Sequence, residues 1–252
     1  MWELMNERNT MQYLNDKNIK LAIQKEGRLT EETLFFLKKS GLEFESYKQR
    51  LFSICRNFPL EIVYVRDDDI PEFVAEGTVD LGIVGQNLLY EQKAKVKKIL
   101  NLRFGFCSLI VAIPKESDVT DIKDLNGKKV ATAYPVSTKA FFKKLNMQVK
   151  LVHISGSLEI APALGVASAI VDLASTGSTL ALNDLRMLTK IYDSESVLIA
   201  NGKVVQNKNN VLAEKLITRF KAVLSAKNYK YVFMNAPENS LQKIKKIVVG
   251  LT

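Results

Sequence analysis

Ser168-Ala169-Ile170-Val171-Asp172-Leu173-Ala174-Ser175-Thr176-Gly177-Ser178-Thr179-Leu180-Ala181-Leu182-Asn183 holds the architecture of the chain in miniature. The first four residues are a short apolar run, the pattern of a buried strand, and the last four can continue as a helix. Small residues lie between. A loop of this kind turns free backbone N–H groups toward one point, and the helix dipole adds positive potential there, so a phosphate binds well. Ser175, Thr176, Ser178 and Thr179 add hydroxyl donors, and Gly177 lets the backbone approach a ligand. Asp172, just ahead of the loop, is placed to accept from ribose hydroxyls. This is the shape of a phosphoribosyl-binding loop. An ordinary helix-capping turn has the same composition, and the octapeptide from Asp172 to Thr179 leaves both readings open.

Outward from this unit, strands and helices keep alternating, which favours an α/β fold. Lys20–Ile23 is the first expected strand; Thr30 is expected to cap a helix through Leu37 that Gly41 ends. Glu61–Val65 and Val79–Gly85 follow as strands, with a short helix between them that starts at Asp69, carries Pro71 and closes at Gly77. Past a boundary come strands at Leu109–Pro114, Lys129–Ala133 and Val149–Ile154, and a helix from about Ser137 to Leu145. A helix from Leu158 to Ala167 leads to the Ser168–Leu173 strand, and Ser196–Ala200 reads as a return strand. The order implies two lobes of like design with a cleft between them. Residues 19–106 with about 195–252 form lobe I, 107–194 form lobe II with the loop, and 1–18 are a flexible extension.

Composition narrows the function. Of 252 residues, 47% are hydrophobic and 25% charged, which are globular values. No apolar run is long enough to span a bilayer, and the N-terminus lacks the apolar centre of a secretory signal, so a cytoplasmic location is expected. Cys55 and Cys107 sit apart in apolar stretches and read as buried free thiols. His153 is the one histidine, in a strand-like run; it cannot supply a zinc cluster, and no Ser or Cys motif joins it for nucleophilic catalysis. The net charge is +9, but ten Lys and Arg against two Glu between Asn201 and Thr252 leave only about +1 elsewhere. The excess lies on expected helix faces, without the signals of nucleic-acid binding. Neither a nucleic-acid nor a membrane partner is expected.

Several further segments, taken with the loop, are more specific than the loop alone. They are Ala22-Ile23-Gln24-Lys25-Glu26-Gly27-Arg28-Leu29, Val65-Arg66-Asp67-Asp68-Asp69-Ile70-Pro71, Val79-Asp80-Leu81-Gly82-Ile83-Val84-Gly85-Gln86-Asn87, Phe104-Gly105-Phe106-Cys107, Ala131-Thr132-Ala133-Tyr134-Pro135, Ser155-Gly156-Ser157-Leu158-Glu159-Ile160-Ala161-Pro162, and Lys230-Tyr231-Val232-Phe233-Met234-Asn235-Ala236-Pro237. In this order and spacing, from about Ile19 to Leu251, the chain resembles the ATP phosphoribosyltransferases, in their long form.

The resemblance implies two α/β lobes like a type II periplasmic solute-binding protein, with the site in the cleft. It implies attack of the ATP adenine N1 on C1 of phosphoribosyl pyrophosphate, with loss of pyrophosphate and help from Mg2+, as the first step of histidine biosynthesis. Such a transition state asks for positioning and charge stabilisation, not for a protein nucleophile. On this pattern the phosphoribosyl pyrophosphate side takes Asp172, Ser175, Thr176, Gly177, Ser178, Thr179 and Glu159, with Asp172 and Glu159 holding ribose hydroxyls or orienting the metal. The ATP side takes Lys25, Arg28, Arg66, Asp68 and Tyr134. Lys25 and Arg28 also read as a solvated turn, and Tyr134 equally as a core tyrosine. The acids of Arg66–Asp69 suit a hard cation or shape the cleft; the metal ligands stay unassigned. Ser108, Ala140 and Ala163 stand where the family often has basic residues, which bears on polyanion contacts. AMP and ADP are expected to compete with ATP, and a homodimer is the expected assembly. The chain stops where the histidine-binding regulatory domain of the long form would begin, so a catalytic core without that domain is expected. A non-catalytic nucleotide- or anion-binding protein of the same fold is the alternative.

Overall fold

After Lys20, the run Leu21-Ala22-Ile23 offers no polar alternation, and a strand of that kind must be covered on both faces. In the computed structural model, which describes residues 18–45, 51–175, 177–202, 211–226, 235, 237–240 and 242–244, it is the centre of β1 (Ile19–Gln24). β1 lies between β3 (Leu60–Val65) and β4 (Leu81–Gly85), parallel to both. β2 (Phe52–Ile54) extends the sheet antiparallel beyond β3. On the other side β11 (Ser196–Ala200) is antiparallel to β4 and to β5 (Lys97–Asn101).

Helices α1 (Thr30–Lys39) and α6 (Val211–Ala226) cover one face of this sheet, where the Phe36 ring meets those of Phe220 and Phe104 at 5.0 and 5.6 Å. Helices α2 (Ile70–Glu76) and α3 (Gln86–Gln92) cover the other, burying Ile70, Val74 and Leu88.

The chain leaves this sheet after β5 and builds a second before returning at β11. Its strand order is β10 (Leu185–Ser194), β6 (Cys107–Pro114), β9 (Ala169–Ala174), β7 (Lys129–Thr132), β8 (Lys150–His153). β7, β8 and β9 are parallel, whereas β6 is antiparallel to β9 and β10. α4 (Pro135–Lys144) buries Phe142 on one face, and Leu158, Ala161 and Ala167 close the other. α5 (Ser178–Leu182) follows β9. Two sheets, each clad on both sides, explain why so many strand segments read as unbroken apolar runs.

Several local expectations differ from the structure. Thr30 is not the cap of α1: its hydroxyl donates to the Gln24 carbonyl at 3.3 Å, while Gln24 Oε1 accepts the Leu29 N–H at 3.0 Å. Asp69 occupies the N-cap place of α2 but makes no capping bond. No helix spans Leu158–Ala167; a 3-10 turn at Leu158–Ile160 passes into irregular turns. Pro162 lacks an N–H to continue a helix, and Gly165 has φ +68°. The expected extension up to residue 17 and the Lys230–Met234 part of the C-terminal motif lie outside the described residues.

Candidate active site

Ligands of open α/β sheets bind beyond the carboxyl ends of parallel strands. In the first sheet Gln24 pairs with Val65, and the Lys25 N–H donates to the Val65 carbonyl at 2.8 Å. Lys25 and Arg66 therefore leave adjacent strands side by side. In the second sheet the corresponding ends lead to Tyr134 after β7, to Glu159 after β8, and to Ser175–Thr179 after β9.

The last two of these meet in a pocket of about 80 Å³ lined by Ile110, Glu159, Asp172, Ser175, Gly177 and Thr179, among others. Asp172 is half-buried there, and its Oδ1 accepts the Leu173 N–H at 2.7 Å. Burial pushes its carboxyl up to about 6; the Leu173 N–H opposes the rise and the Glu159 carboxylate adds to it. Gly177 precedes α5 at φ +74°, a left-handed conformation that favours glycine, and a Cβ there would meet no atom within 4 Å. Ser178 is the first residue of α5. Thr176 lies outside the described residues.

Tyr134 lies within electrostatic reach of acids from both sheets. Its phenol is raised above the ordinary tyrosine range by burial first, then by Asp172, then by Asp67, with Asp68 contributing less. Carboxylates from both halves of the molecule thus act on one hydroxyl. Asp68 is itself raised, by burial and by its neighbours Asp67 and Asp69, against the pull of Arg66. The ring packs against the second core.

The Tyr134 backbone is tied down by two buried threonines. Its N–H donates to Thr132 Oγ1 at 2.9 Å, and Thr138 Oγ1 donates to its carbonyl at 2.7 Å. The two hydroxyls are 3.1 Å apart, and Thr132 also donates to the Val171 carbonyl at 2.9 Å. The spacing Thr132-x-Tyr134-Pro135-x-x-Thr138 carries this network in the sequence, although neither threonine was among the expected site residues.

Arg28 is turned to the crossover between the sheets, where Nη1 donates to the Gly105 carbonyl at 2.7 Å. The acids Asp67–Asp69 lie along a 3-10 turn, and among the described residues no three His, Cys, Asp or Glu side chains converge as a metal cluster. Ser108 donates to Asp193 at 2.6 Å and so links β6 to β10.

A family model described as ATP phosphoribosyltransferase matches residues 66–222. The ATP phosphoribosyltransferase of Cytophaga hutchinsonii is 40% identical over 233 residues, which span 92% of this chain and 81% of that protein. The chain belongs to the ATP phosphoribosyltransferase family. The ATP phosphoribosyltransferase of Methanosarcina mazei is 39% identical over 236 residues, 93% of this chain and 81% of its own. A solved ATP phosphoribosyltransferase (HisG:HisZ) complex from Thermotoga maritima superposes with a TM-score of 0.70 at 25% identity, covering 82% of this chain and 98% of that one. The periplasmic aliphatic sulphonate-binding protein of Escherichia coli shares the fold alone, with a TM-score of 0.57 at 14% identity over 85% of this chain and 70% of its own.

As a member of the ATP phosphoribosyltransferases, the chain is a glycosyltransferase-type enzyme. It transfers the phosphoribosyl group of phosphoribosyl pyrophosphate to N1 of ATP and releases pyrophosphate, the first step of histidine biosynthesis. The family generally uses a divalent metal. Among the described residues no helix is long and apolar enough to cross a membrane.

Proposed function

We propose that the two substrates of this ATP phosphoribosyltransferase are divided between two lobes, 19–106 with about 195–252, and 107–194. The second lobe holds phosphoribosyl pyrophosphate: the loop Ser175, Thr176, Gly177, Ser178 and Thr179 takes the 5′-phosphate, while Asp172 and Glu159 hold the ribose hydroxyls or orient the metal. Lys25, Arg28, Arg66 and Asp68 of the first lobe receive ATP, and Tyr134 meets it from the second. Arg28 exchanges its Gly105 partner for a phosphate, which its guanidinium can clamp with two parallel bonds. Charge that develops at C1 and on the departing pyrophosphate is met by fixed groups, with no covalent intermediate.

The donor set fits Mg2+. This ion typically takes one or two carboxylates and completes its shell with water and substrate phosphates; Asp172 and Glu159 line one pocket and supply those two. When bound, it neutralises charge on the pyrophosphate. We further assign AMP and ADP as competitors of ATP, a homodimer as the working assembly and the cytoplasm as the location.

The observation that supports this division is the pocket that gathers Glu159, Asp172, Ser175, Gly177 and Thr179 at the second sheet, while Lys25 and Arg66 leave adjacent strand ends of the first. Steady-state turnover tests it, followed by near-ultraviolet absorbance of the product beyond that of ATP. Asp172→Asn should raise the KM for phosphoribosyl pyrophosphate with little effect on that for ATP, and Tyr134→Ala should do the reverse. The opposite partition would refute the assignment.

A further inference from the structure

The last turn of α3 touches both halves of the molecule through three consecutive side chains. The Glu91 carboxylate crosses to α4 and accepts two of its first N–H groups, Val136 to Oε1 at 2.7 Å and Ser137 to Oε2 at 2.9 Å. Pro135 has no N–H to offer, so this one side chain serves the first two backbone donors that α4 has. Tyr90 sets its ring edge-on to Tyr192 of β10, with centroids 5.0 Å apart. The Tyr192 hydroxyl donates to Ser137 Oγ at 3.2 Å, so it meets α4 at the residue that Glu91 holds. Gln92 Nε2 turns back and donates to the Asp68 carbonyl at 2.7 Å.

A carboxylate on a helix N-terminus is a charge-assisted contact that the helix dipole strengthens. Here the acid and the helix belong to different sheets, between which the described chain crosses at residues 102–106 and at Glu195, where Asn87 of α3 also exchanges hydrogen bonds with Ser194 at 3.0 and 3.1 Å. A motion that parts α3 from α4 breaks this contact. The same turn also fixes the backbone of the acidic loop, and α4 begins directly after Tyr134. One turn of helix therefore ties the backbone of the acidic loop to the start of α4, which follows Tyr134 directly.

We propose that Tyr90, Glu91 and Gln92 form an interlobe latch, with Glu91 a positioning residue that holds α4 and Tyr134 against the acidic loop when the cleft is closed. The part that concerns ATP rests on the assignment of Tyr134 above; the latch itself rests on the distances. The enzyme then pays for closure partly from its own contacts, and substrates complete it.

The test uses the full chain with Glu91→Ala, Glu91→Gln and Tyr90→Ala, each checked for a native circular-dichroism spectrum and melting transition. Glu91 is half-buried on the surface of α3, and Glu91→Gln keeps one acceptor oxygen, so a folded variant is available. Small-angle scattering without ligand should show a larger radius of gyration for Glu91→Ala than for the unchanged chain. kcat/KM for ATP should fall by about ten- to a hundredfold, the scale of losing hydrogen bonds to a charged group. Glu91→Gln should recover part of both. The dissociation constant of phosphoribosyl pyrophosphate, measured alone, should stay within about twofold, because the contacts of the latch go to α4, β10 and the acidic loop. That split is one a general loss of stability would not produce. Scattering and kinetics unchanged in both Glu91→Ala and Tyr90→Ala would overturn the latch. An expanded molecule with an unchanged ATP requirement would uphold the latch and overturn the placement of Tyr134 on the ATP side.

Discussion

Asp172 is kept in a place that resists its charge. Its carboxyl is raised to about 6 by burial, opposed by the Leu173 N–H and aided by Glu159. An unfolded chain would hold it near the ordinary aspartate value of about 3.9. The native state therefore binds this proton more tightly than the unfolded one. The stabilisation is fully present below about pH 4 and lost as the pH rises through 6, an effect of about 3 kcal/mol. Removing the titrating group should flatten that part of the profile: melting temperature from pH 4 to 7 should fall less steeply in Asp172→Asn than in the unchanged chain. Above pH 6 the bare carboxylate needs partners, so the melting-temperature gain from phosphoribosyl pyrophosphate with Mg2+ should be larger at pH 7.5 than at pH 5. A gain that shrinks with pH would mean that Asp172 does not face the ligand. Gly177 offers a gentler probe. With φ +74° and open space around a Cβ, Gly177→Ala should cost about 1–2 kcal/mol of left-handed strain in the loop. It should raise the KM for phosphoribosyl pyrophosphate and leave that for ATP unchanged. The left-handed turn at Gly177 was legible in the loop; the surroundings of Asp172 were not, because Ile110, its partner on β6, and Glu159, in the same pocket, are remote in sequence.

At the scale of elements, α4 and β7 are joined by the threonine network around Tyr134. Thr132 is fully buried and bonds the Tyr134 N–H, the Thr138 hydroxyl and the Val171 carbonyl. Thr132→Val keeps the shape but leaves a buried N–H without its acceptor, at a cost of about 1–3 kcal/mol. Urea unfolding should show that loss, the KM for ATP should rise with it, and Thr132→Ser should restore both. Strands buried on both faces were legible because their apolar runs are short and bounded by turn residues. β10 was not: Arg186 and Lys190 interrupt its pattern, and register shifts between Met187 and Thr189 and between Lys190 and Tyr192 break the period of two. The turn after β8 misled for the opposite reason. Leu158, Ala161 and Ala167 are buried at near-helical spacing, yet Pro162 and Gly165 decide the backbone.

For the whole molecule, the alternation of strand and helix signals was enough to give an α/β protein of two lobes, and the motif set gave the family. Strand order and the contacts between sheets were not legible, since Glu91 meets Val136 and Ser137 only after both halves have folded. Assembly is the remaining question at this scale, and the surface of the second sheet bears on it. Leu182 is 84% exposed, Leu164 68% and Met187 56%. Leu182 and Met187 flank the turn from α5 into β10, and β10 is an edge strand of ten residues. A long edge beside exposed apolar side chains is a ready template for pairing, and a two-fold axis lets one patch pair with itself. The homodimer proposed above is therefore expected to form through this edge, burying about 800 Å² on each copy if it is stable. Light scattering should give twice the 28.3 kDa chain mass. Leu182→Glu with Met187→Lys places charge on both sides of the turn and should shift the mass to that of one chain without lowering the melting temperature of the sheet by more than about 4 °C. A dimer that survives both substitutions would move the interface elsewhere, and a fully active monomer would remove the need for it.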